Sequence, residues 1–484
     1  MKKGIIAVVF CCILFFIFGC EEDTTMDNKN YNTTLKTDSS MTTDNTKVLP
    51  KETMPDFENT GKEILIGVWS GIPVQCSILK NDEVETGKRN WSDEELLEQY
   101  QWMKDVGINL ASCPIGYNNE EHNIRMLEAA QEVGIKQMLW DTALNSCLAD
   151  ASLTDEEAIM QARRLTSEYA EYDSYYGTMY TDEPNSKEFE EIARAYRRYK
   201  MLFPDKMFYV NMFPIYATSL QTGEETYKEY IEKYFEVTKM DYFCYDNYPL
   251  IRGKGTQTIL TDNFLYNFYA VKEVNNEVPL WTFLQSMGFG NKKDPDCTED
   301  FRIQINCSLS MGCDVIQWFC YYSPLYGGSE GFVPAIITLD GKKTEKYDFL
   351  KEAMQELHNL EKIYTSFKWV DVMTNYGSEN AAKNNNAFNY FEITNTHERI
   401  DAMSSTYDFV MGVFKDEENR DGFMLTNYDI PSSKNVNHIV LNFNNTTQVL
   451  CYINGTKTEV NVVDGKIELD LNASDGAFII PLNL

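Results

Sequence analysis

Residues 176–213 read YGTMYTDEPNSKEFEEIARAYRRYKMLFPDKMFYVNMF. The run Tyr176–Asp182 is rich in residues that favour strands. A charged stretch with apolar residues at helical spacing follows, from Ser186 to about Phe203. A second apolar run, Met207–Phe213, completes a strand–helix–strand unit. A helix between two apolar strands is the connection a parallel pair requires.

The same alternation extends from residue 63 to about 363. Six further apolar runs are Ile64–Trp69, Ile108–Pro114, Ile135–Asp141, Asp241–Asp246, Pro279–Gln285 and Asp314–Tyr321. Helical periodicity lies between them at 92–106, about 120–133, 155–170, 223–238, 261–275 and 299–311, and after them at 343–363. Two of these segments open with a capping box, Ser92 with Glu95 and Thr154 with Glu157. Eight units in about 300 residues is the count and size of a (β/α)8 TIM barrel. A doubly wound open sheet also alternates, but it rarely needs eight units, and the chain has no GxGxxG or GxxxxGK[ST] loop.

Beyond about 365 helical periodicity fades. Strand-like runs follow at 409–414, 422–428, 438–443, 448–453, 458–463 and 477–481, with hairpin signals at Asn454-Gly455 and Asp464-Gly465. This reads as a small antiparallel β-sandwich. The expected plan is a leader at 1–20, a tether at 21–60, a barrel at 61–364 and a sandwich at 365–484.

The chain of 484 residues is 43% hydrophobic and 13% aromatic, enough to build a sizeable core. Its formal net charge of −31 argues against nucleic acid as a partner and against charge-driven binding to anionic membranes. At the N-terminus, Lys2 and Lys3 precede an apolar stretch with the layout of a secretory signal. It ends in Ile17-Phe18-Gly19-Cys20, which resembles the lipobox of bacterial lipoproteins. That resemblance implies cleavage before Cys20, lipid attachment to its thiol, and an exported protein held at the cell envelope through lipid alone. The alternative is an uncleaved anchor helix. Residues 21–60 are rich in Thr, Asp, Asn and Ser and read as a flexible tether.

Outside the leader and Cys20 the cysteines are Cys76, Cys113, Cys147, Cys244, Cys297, Cys307, Cys313, Cys320 and Cys451, an odd number with no framework spacing. They read as small buried hydrophobes. The histidines, His122, His358, His397 and His438, stand in no zinc-binding pattern, so no metal or cofactor is expected.

In such a barrel the chemistry sits where the strands end. Those positions hold Trp69, Asp141, Asp182-Glu183-Pro184, Asn211, Tyr245-Asp246-Asn247-Tyr248, Trp281 through Gln285, and Gln317-Trp318. Aromatic faces stack on sugar rings, and amides and carboxylates match hydroxyl groups. The expected partner is therefore an oligo- or polysaccharide. Glycosidic cleavage needs an acid to protonate the leaving oxygen and a second group for the developing oxocarbenium. Glu183 is the candidate acid. Asp182 or Asn185 could instead cap the following helix. Asp246 and Asp141 could likewise cap turns, and Trp69, Trp281 and Trp318 could be core.

The chain resembles the (β/α)8 glycoside hydrolases of clan A, which include bacterial β-galactosidases. In them strand 4 ends in an Asn-Glu-Pro-like motif whose Glu is the acid/base, and Asp182-Glu183-Pro184 takes that place here. The resemblance implies the acid/base role for Glu183 and covers about 65–363. It departs at strand 7, where the clan carries a nucleophilic Glu and this chain has Gln285. Three repairs are open. The Asp182-Glu183 pair resembles that of hexosaminidases which use the substrate's acetamido group as nucleophile. Tyr245, Asp246 and Tyr248 resemble the Tyr-Asp of chitinase-type barrels, in keeping with the same chemistry. Asp246 could be the base of an inverting enzyme, or Glu330, in the loop Gly327–Gly331, could serve as nucleophile. The competing reading from another class is a non-catalytic carbohydrate-binding lipoprotein on a degenerate barrel. No plausible Ser-His pair supports an esterase.

Overall fold

The computed structural model describes residues 51–81, 84–112, 120–253, 258–380, 382–383, 385–391 and 397–484. Cys20 and the segments read above as a lipobox and a tether, as far as residue 50, lie outside them. Among the described residues no helix is long and apolar enough to cross a membrane.

Eight parallel strands form the barrel: β1 (Leu65–Val68), β2 (Leu110–Ser112), β3 (Lys136–Leu139), β4 (Tyr175–Asp182), β5 (Met207–Asn211), β6 (Phe243–Asp246), β7 (Leu280–Gln285) and β8 (Val315–Phe319). They hydrogen-bond in the order β5-β4-β3-β2-β1-β8-β7-β6. A parallel bridge from Met212 to Tyr245, with Met212 N–H donating to Cys244 O at 2.8 Å, closes the ring between β5 and β6. Around it run α1 (Asp93–Asp105), α2 (Glu120–Val133), α3 (Asp155–Leu165), α4 (Phe189–Leu202), α5 (Tyr227–Thr238), α6 (Phe264–Val274), α7 (Thr298–Ser310) and α8 (Lys346–Tyr364). Both expected capping boxes, Ser92/Glu95 and Thr154/Glu157, are formed. Elements beyond the expected ones include a hairpin of Gln75–Lys80 with Val84–Asn90 after β1, a second hairpin of Leu250–Arg252 with Thr258–Leu260 after β6, and a helix, Thr142–Ala149, between β3 and α3.

The C-terminal strands are β9 (Phe367–Asn375), β10 (Ile400–Ser405), β11 (Phe409–Asp416), β12 (Asp421–Asn427), β13 (Val436–Phe443), β14 (Gln448–Ile453), β15 (Thr456–Thr458), β16 (Lys466–Asn472) and β17 (Gly476–Leu482). They form a six-stranded sheet, β9-β11-β12-β17-β14-β15, and a three-stranded sheet, β10-β13-β16. Met411, Phe423 and Leu425 of one sheet meet Ile439, Leu441 and Ile467 of the other in a shared core, which makes a β-sandwich. Asn454-Gly455 and Asp464-Gly465 turn with positive φ at all four residues, as their hairpin reading requires. The run 458–463 is not a strand beyond Thr458, where β15 pairs with β14; the strand that pairs with β13 is Lys466–Asn472, with a strict inside–outside alternation.

The outer face of the larger sheet lies on α7 and α8. Ser310 Oγ donates to Met424 O at 2.9 Å, and Trp369 Nε1 donates to Ser310 O at 3.1 Å. Gly412 permits this approach, since a Cβ there would lie 2.1 Å from Ser310 O. The sandwich therefore braces the barrel's helical wall.

The folded body takes up the chain at Glu52, ahead of residue 61. Glu52 N–H donates to Asn483 O at 2.8 Å, and its carboxylate accepts from Asn483 N–H at 2.7 Å and Arg399 Nη2 at 2.8 Å. The Arg399 side chain is fully buried. Arg420 Nη1 donates to Thr53 O at 2.9 Å. Eight cysteines among the described residues are free thiols, all buried except the half-buried Cys297.

Candidate functional site

The interior of the barrel is lined by alternate residues of each strand. Gly67 and Trp69 of β1 and its end, Tyr209 and Asn211 of β5, Cys244 and Asp246 of β6, and Gln317 of β8 share it. Gly67 makes room for Gln317, whose Cγ would lie 2.8 Å from a Cβ at position 67.

Strand β4 enters this layer through an irregularity. Met179 pairs with Tyr209, Thr181 with Val210 and Asp182 with Asn211, so Tyr180 is an extra residue. Tyr180 points outward and stacks on Phe208 at 4.6 Å, with its hydroxyl 3.2 Å from Glu191. The bulge returns Asp182 to the interior, where it meets Asn211 of β5. Glu183 follows in the left-handed region at φ 47°, a conformation that costs a non-glycine residue about 1–2 kcal/mol. Its N–H still donates to Asn211 O at 2.8 Å, so the strain is held in place by the neighbouring strand. The cap of the following 3-10 turn, Ser186–Glu188, is Asn185, whose Oδ1 accepts from Lys187 N–H. Asp182 and Glu183 are thus released from capping.

Asn211 Nδ2 donates to Asp182 Oδ1 and to Asp246 Oδ1, each at 3.0 Å. Two such bonds to one nitrogen hold those oxygens within about 6 Å of each other. Asp246 is buried, whereas Asp182 and Glu183 are half-buried. Burial pushes Asp182 up to about 6, opposed by the Asn211 hydrogen bond. Burial and then the Asp182 charge push Asp246 up to about 7. Glu183 is held well above the usual carboxylate range by burial, then by Asp246 and Asp182. Three carboxyl groups therefore share one pocket in which like charges cannot all ionise readily.

Aromatic rings surround them. Trp69 stands edge-on to Trp140 at 6.0 Å and to Phe283 at 5.6 Å. Tyr248 packs between Phe289 at 5.2 Å and Phe319 at 5.3 Å. The loop after β7 brings Lys292, which donates to Tyr248 O at 2.6 Å and lies 5.8 Å from the Tyr216 ring. Tyr216 is 40% exposed overall, yet its hydroxyl end is set into the site: burial, then the Asp246 and Glu183 charges, push it up. Sequence reasoning missed Tyr216 and Lys292, which lie on loops beyond the strand ends. It also missed Tyr209 and Cys244 as site residues, although each stands two positions before Asn211 or Asp246 and so faces the same way.

Several expected contacts take other places. Asp141 caps Thr142–Ala149: Oδ1 accepts from Ala143 and Leu144 N–H at 3.0 Å, and Oδ2 from the Tyr169 hydroxyl at 2.7 Å. Both its oxygens are occupied by the fold. Tyr245 and Trp318 point away from the interior into the layer between strands and helices, against Phe268 at 5.6 Å and Phe301 at 5.4 Å, and neither is exposed. Trp281 is sealed against Tyr209 and Tyr242. These three are core, because strands buried on both faces place apolar rings on either side. Gln285 holds two loops together, accepting from Leu250 N–H at 3.1 Å and donating to Lys293 O. Glu330 takes a hydrogen bond from the adjacent Ser329, and its backbone carbonyl accepts from Gly290 N–H. Asp296, Cys297 and Asp300 come together in the arrangement of a metal site, but Lys293 already pairs with both carboxylates.

No protein-family model matches the sequence, and no curated protein is similar to it. Among solved structures, an Anoxybacillus α-amylase aligns over 89% of this chain and 100% of its own at 11% identity and a TM-score of 0.48. A glycoside hydrolase family 30 subfamily 8 xylanase from Clostridium acetobutylicum aligns over 87% and 97% at 9% identity and a TM-score of 0.40. An endo-β-1,4-mannanase from Thermotoga petrophila aligns over 81% and 92% at 11% identity and a TM-score of 0.34. The assignment of the barrel rests on its own strand order and closure.

Proposed function

We propose that the protein is an exported glycoside hydrolase acting on a neutral or N-acetylated glycan, with Glu183 as general acid/base. One observation carries this reading: Glu183 stands at the mouth of the barrel, in strained backbone, where burial and then the charges of Asp246 and Asp182 hold its carboxyl well above the usual carboxylate range. A carboxylic acid that retains its proton there can deliver it to the leaving oxygen of a glycosidic bond.

Gln285 supports a substrate-assisted path. Its amide is engaged by backbone on both sides, so the end of β7 offers no carboxylate to attack the anomeric carbon. Asp182 uses Oδ1 on Asn211, and its Oδ2 accepts no hydrogen bond among the described residues. That oxygen is suited to receive the N–H of a substrate acetamido group. The acetamido carbonyl oxygen then bonds to the anomeric carbon as the C–O bond to the aglycone breaks, and Glu183 gives its proton to the departing oxygen. Glu183, now a base, takes a proton from the water that reopens the ring. Asp246 is the partner in the alternative, inverting arrangement. The leader and its lipobox support a location at the cell envelope.

The test is a panel of aryl glycosides, including β-N-acetylhexosaminides and β-galactosides, with the chain lacking residues 1–20 and its Glu183→Gln variant. Turnover of an acetamido sugar, abolished in the variant, is the expected result. Turnover of plain sugars alone would remove the acetamido path and leave Asp246 as partner. Sugar binding without turnover of any substrate would replace the enzyme by a carbohydrate-binding protein.

A further inference from the structure

Beneath the three carboxyl groups runs a chain of hydrogen bonds. Gln317 Nε2 donates to the Tyr209 hydroxyl oxygen at 3.0 Å and to Cys244 Sγ at 3.3 Å. Tyr209 and Cys244 are 3.0 Å apart. The Cys244 thiol donates to Asn211 Oδ1 at 3.4 Å. Asn211 then uses both N–H groups of its amide, one on Asp182 and one on Asp246. All of these side chains except Asp182 are buried.

A side-chain amide is nearly symmetric in shape, so hydrogen bonds alone decide which end carries the donors. Turned over, Asn211 would set its oxygen against two carboxylates and its N–H groups against the thiol. The hydrogen on Cys244 opposes that arrangement. Cys244 thus acts as more than a small buried hydrophobe: its hydrogen adds to the two carboxylates in setting the direction of Asn211.

We propose that Asn211, oriented by Cys244, is a positioning residue that makes Asp182 and Asp246 both accept hydrogen bonds and so leaves the proton of the site on Glu183. The proposal rests on the reading of Glu183 as the acid. The other titratable groups facing this cluster are Tyr216 from the loop after β5, Tyr227 and Tyr230 from α5, Tyr248 after β6 and Lys292 from the loop after β7. Lys292 favours the ionised form of Asp246. For Asp182, Asn211 is the group that opposes burial. Loss of the Asn211 donors therefore falls hardest on Asp182, which would then compete with Glu183 for the proton.

The experiment measures kcat/KM against pH, and melting temperature against pH, for the wild type, Asn211→Leu, Cys244→Ala and Cys244→Ser. In Asn211→Leu the acid limb of kcat/KM moves up by about one pH unit, the worth of a hydrogen bond to a carboxylate. Cys244→Ala moves it in the same direction, and Cys244→Ser, which keeps a donor hydrogen, restores it. The fall in melting temperature between pH 4 and pH 8 is steeper in Asn211→Leu than in the wild type. Should Asn211→Leu fail to fold, the Cys244 pair alone decides. Superposable pH curves for the wild type and Cys244→Ala, or a serine variant that behaves like alanine, would overturn the proposal. If no substrate is turned over, the acid reading fails, and the melting slopes still decide whether Asn211 couples to the carboxylates.

Discussion

Asp182 stands beside Asn211 because Tyr180, two positions earlier, is one residue more than β5 can pair. Without that extra residue, simple alternation from Met179 would send Thr181 inward and Asp182 outward. The Tyr180 ring is the anchor of the bulge, stacked on Phe208 and hydrogen-bonded to Glu191 of α4. Tyr180→Ala is expected to cost about 2–3 kcal/mol of stability and more than tenfold in kcat/KM, as Asp182 loses its aim. Tyr180→Phe keeps the stacked ring and most of both quantities. Denaturant unfolding and steady-state kinetics on the two variants check this.

Glu183→Gln retains the shape of the side chain and removes the proton it donates. The expected loss in kcat is about 10²–10⁴-fold on substrates with poor leaving groups. Aryl glycosides with nitro-substituted leaving groups need less protonation and lose less in the cleavage step. Equal losses on both classes would point to a role other than proton donation.

Stability should fall as pH rises. Asp182 and Asp246 are held at about 6 and about 7, above their unfolded value near 4. The folded protein therefore binds more protons than the unfolded chain in this range. The stabilisation is complete below about pH 4 and is lost as pH climbs to about 7. Asp246→Asn removes the larger part of that loss and stabilises the protein at pH 8 by on the order of 2–4 kcal/mol, with activity sacrificed. Thermal unfolding from pH 4 to pH 8 measures both effects.

The contact of the sandwich with α7 is open to a minimal test. Gly412→Ala brings a Cβ to 2.1 Å from Ser310 O, which neither backbone can relieve without parting the sheet from the helix. A loss of about 2–3 kcal/mol is expected. kcat per folded molecule should be unaffected, because the contact lies on the outer wall of the barrel. Active-site titration of the surviving folded fraction separates the two.

Much of the fold was legible because helices announce themselves. The capping boxes at Ser92 and Thr154 mark their helices to the residue, and the eight apolar runs all become strands of one sheet. The hairpin at 75–90 was not legible, since Val84–Asn90 is charged and largely exposed and reads as loop. Orientation within the barrel was also hidden. In β7 every residue is buried, so no polar alternation tells Trp281 and Phe283, which face inward, from Leu280 and Thr282. For the same reason Tyr245 and Trp318 could pass for site residues. The Asp182-Glu183-Pro184 motif was visible, but the bulge that aims it has no sequence mark of its own. Cys244 was readable only in retrospect, through its two-residue spacing from Asp246.

Where the chain joins the folded body has a mechanical consequence. Glu52 is bound on both its backbone and its carboxylate to Asn483, at the end of β17, and to the buried Arg399. A pull on the chain ahead of Glu52 is met first by this clamp and by the grip of Arg420 on Thr53. The load passes into the sandwich, whose β17 lies against β12 and β14, before it reaches β1. Tension applied to the chain ahead of Glu52 would be borne by the sandwich before it reached the strands that carry the three carboxyl groups.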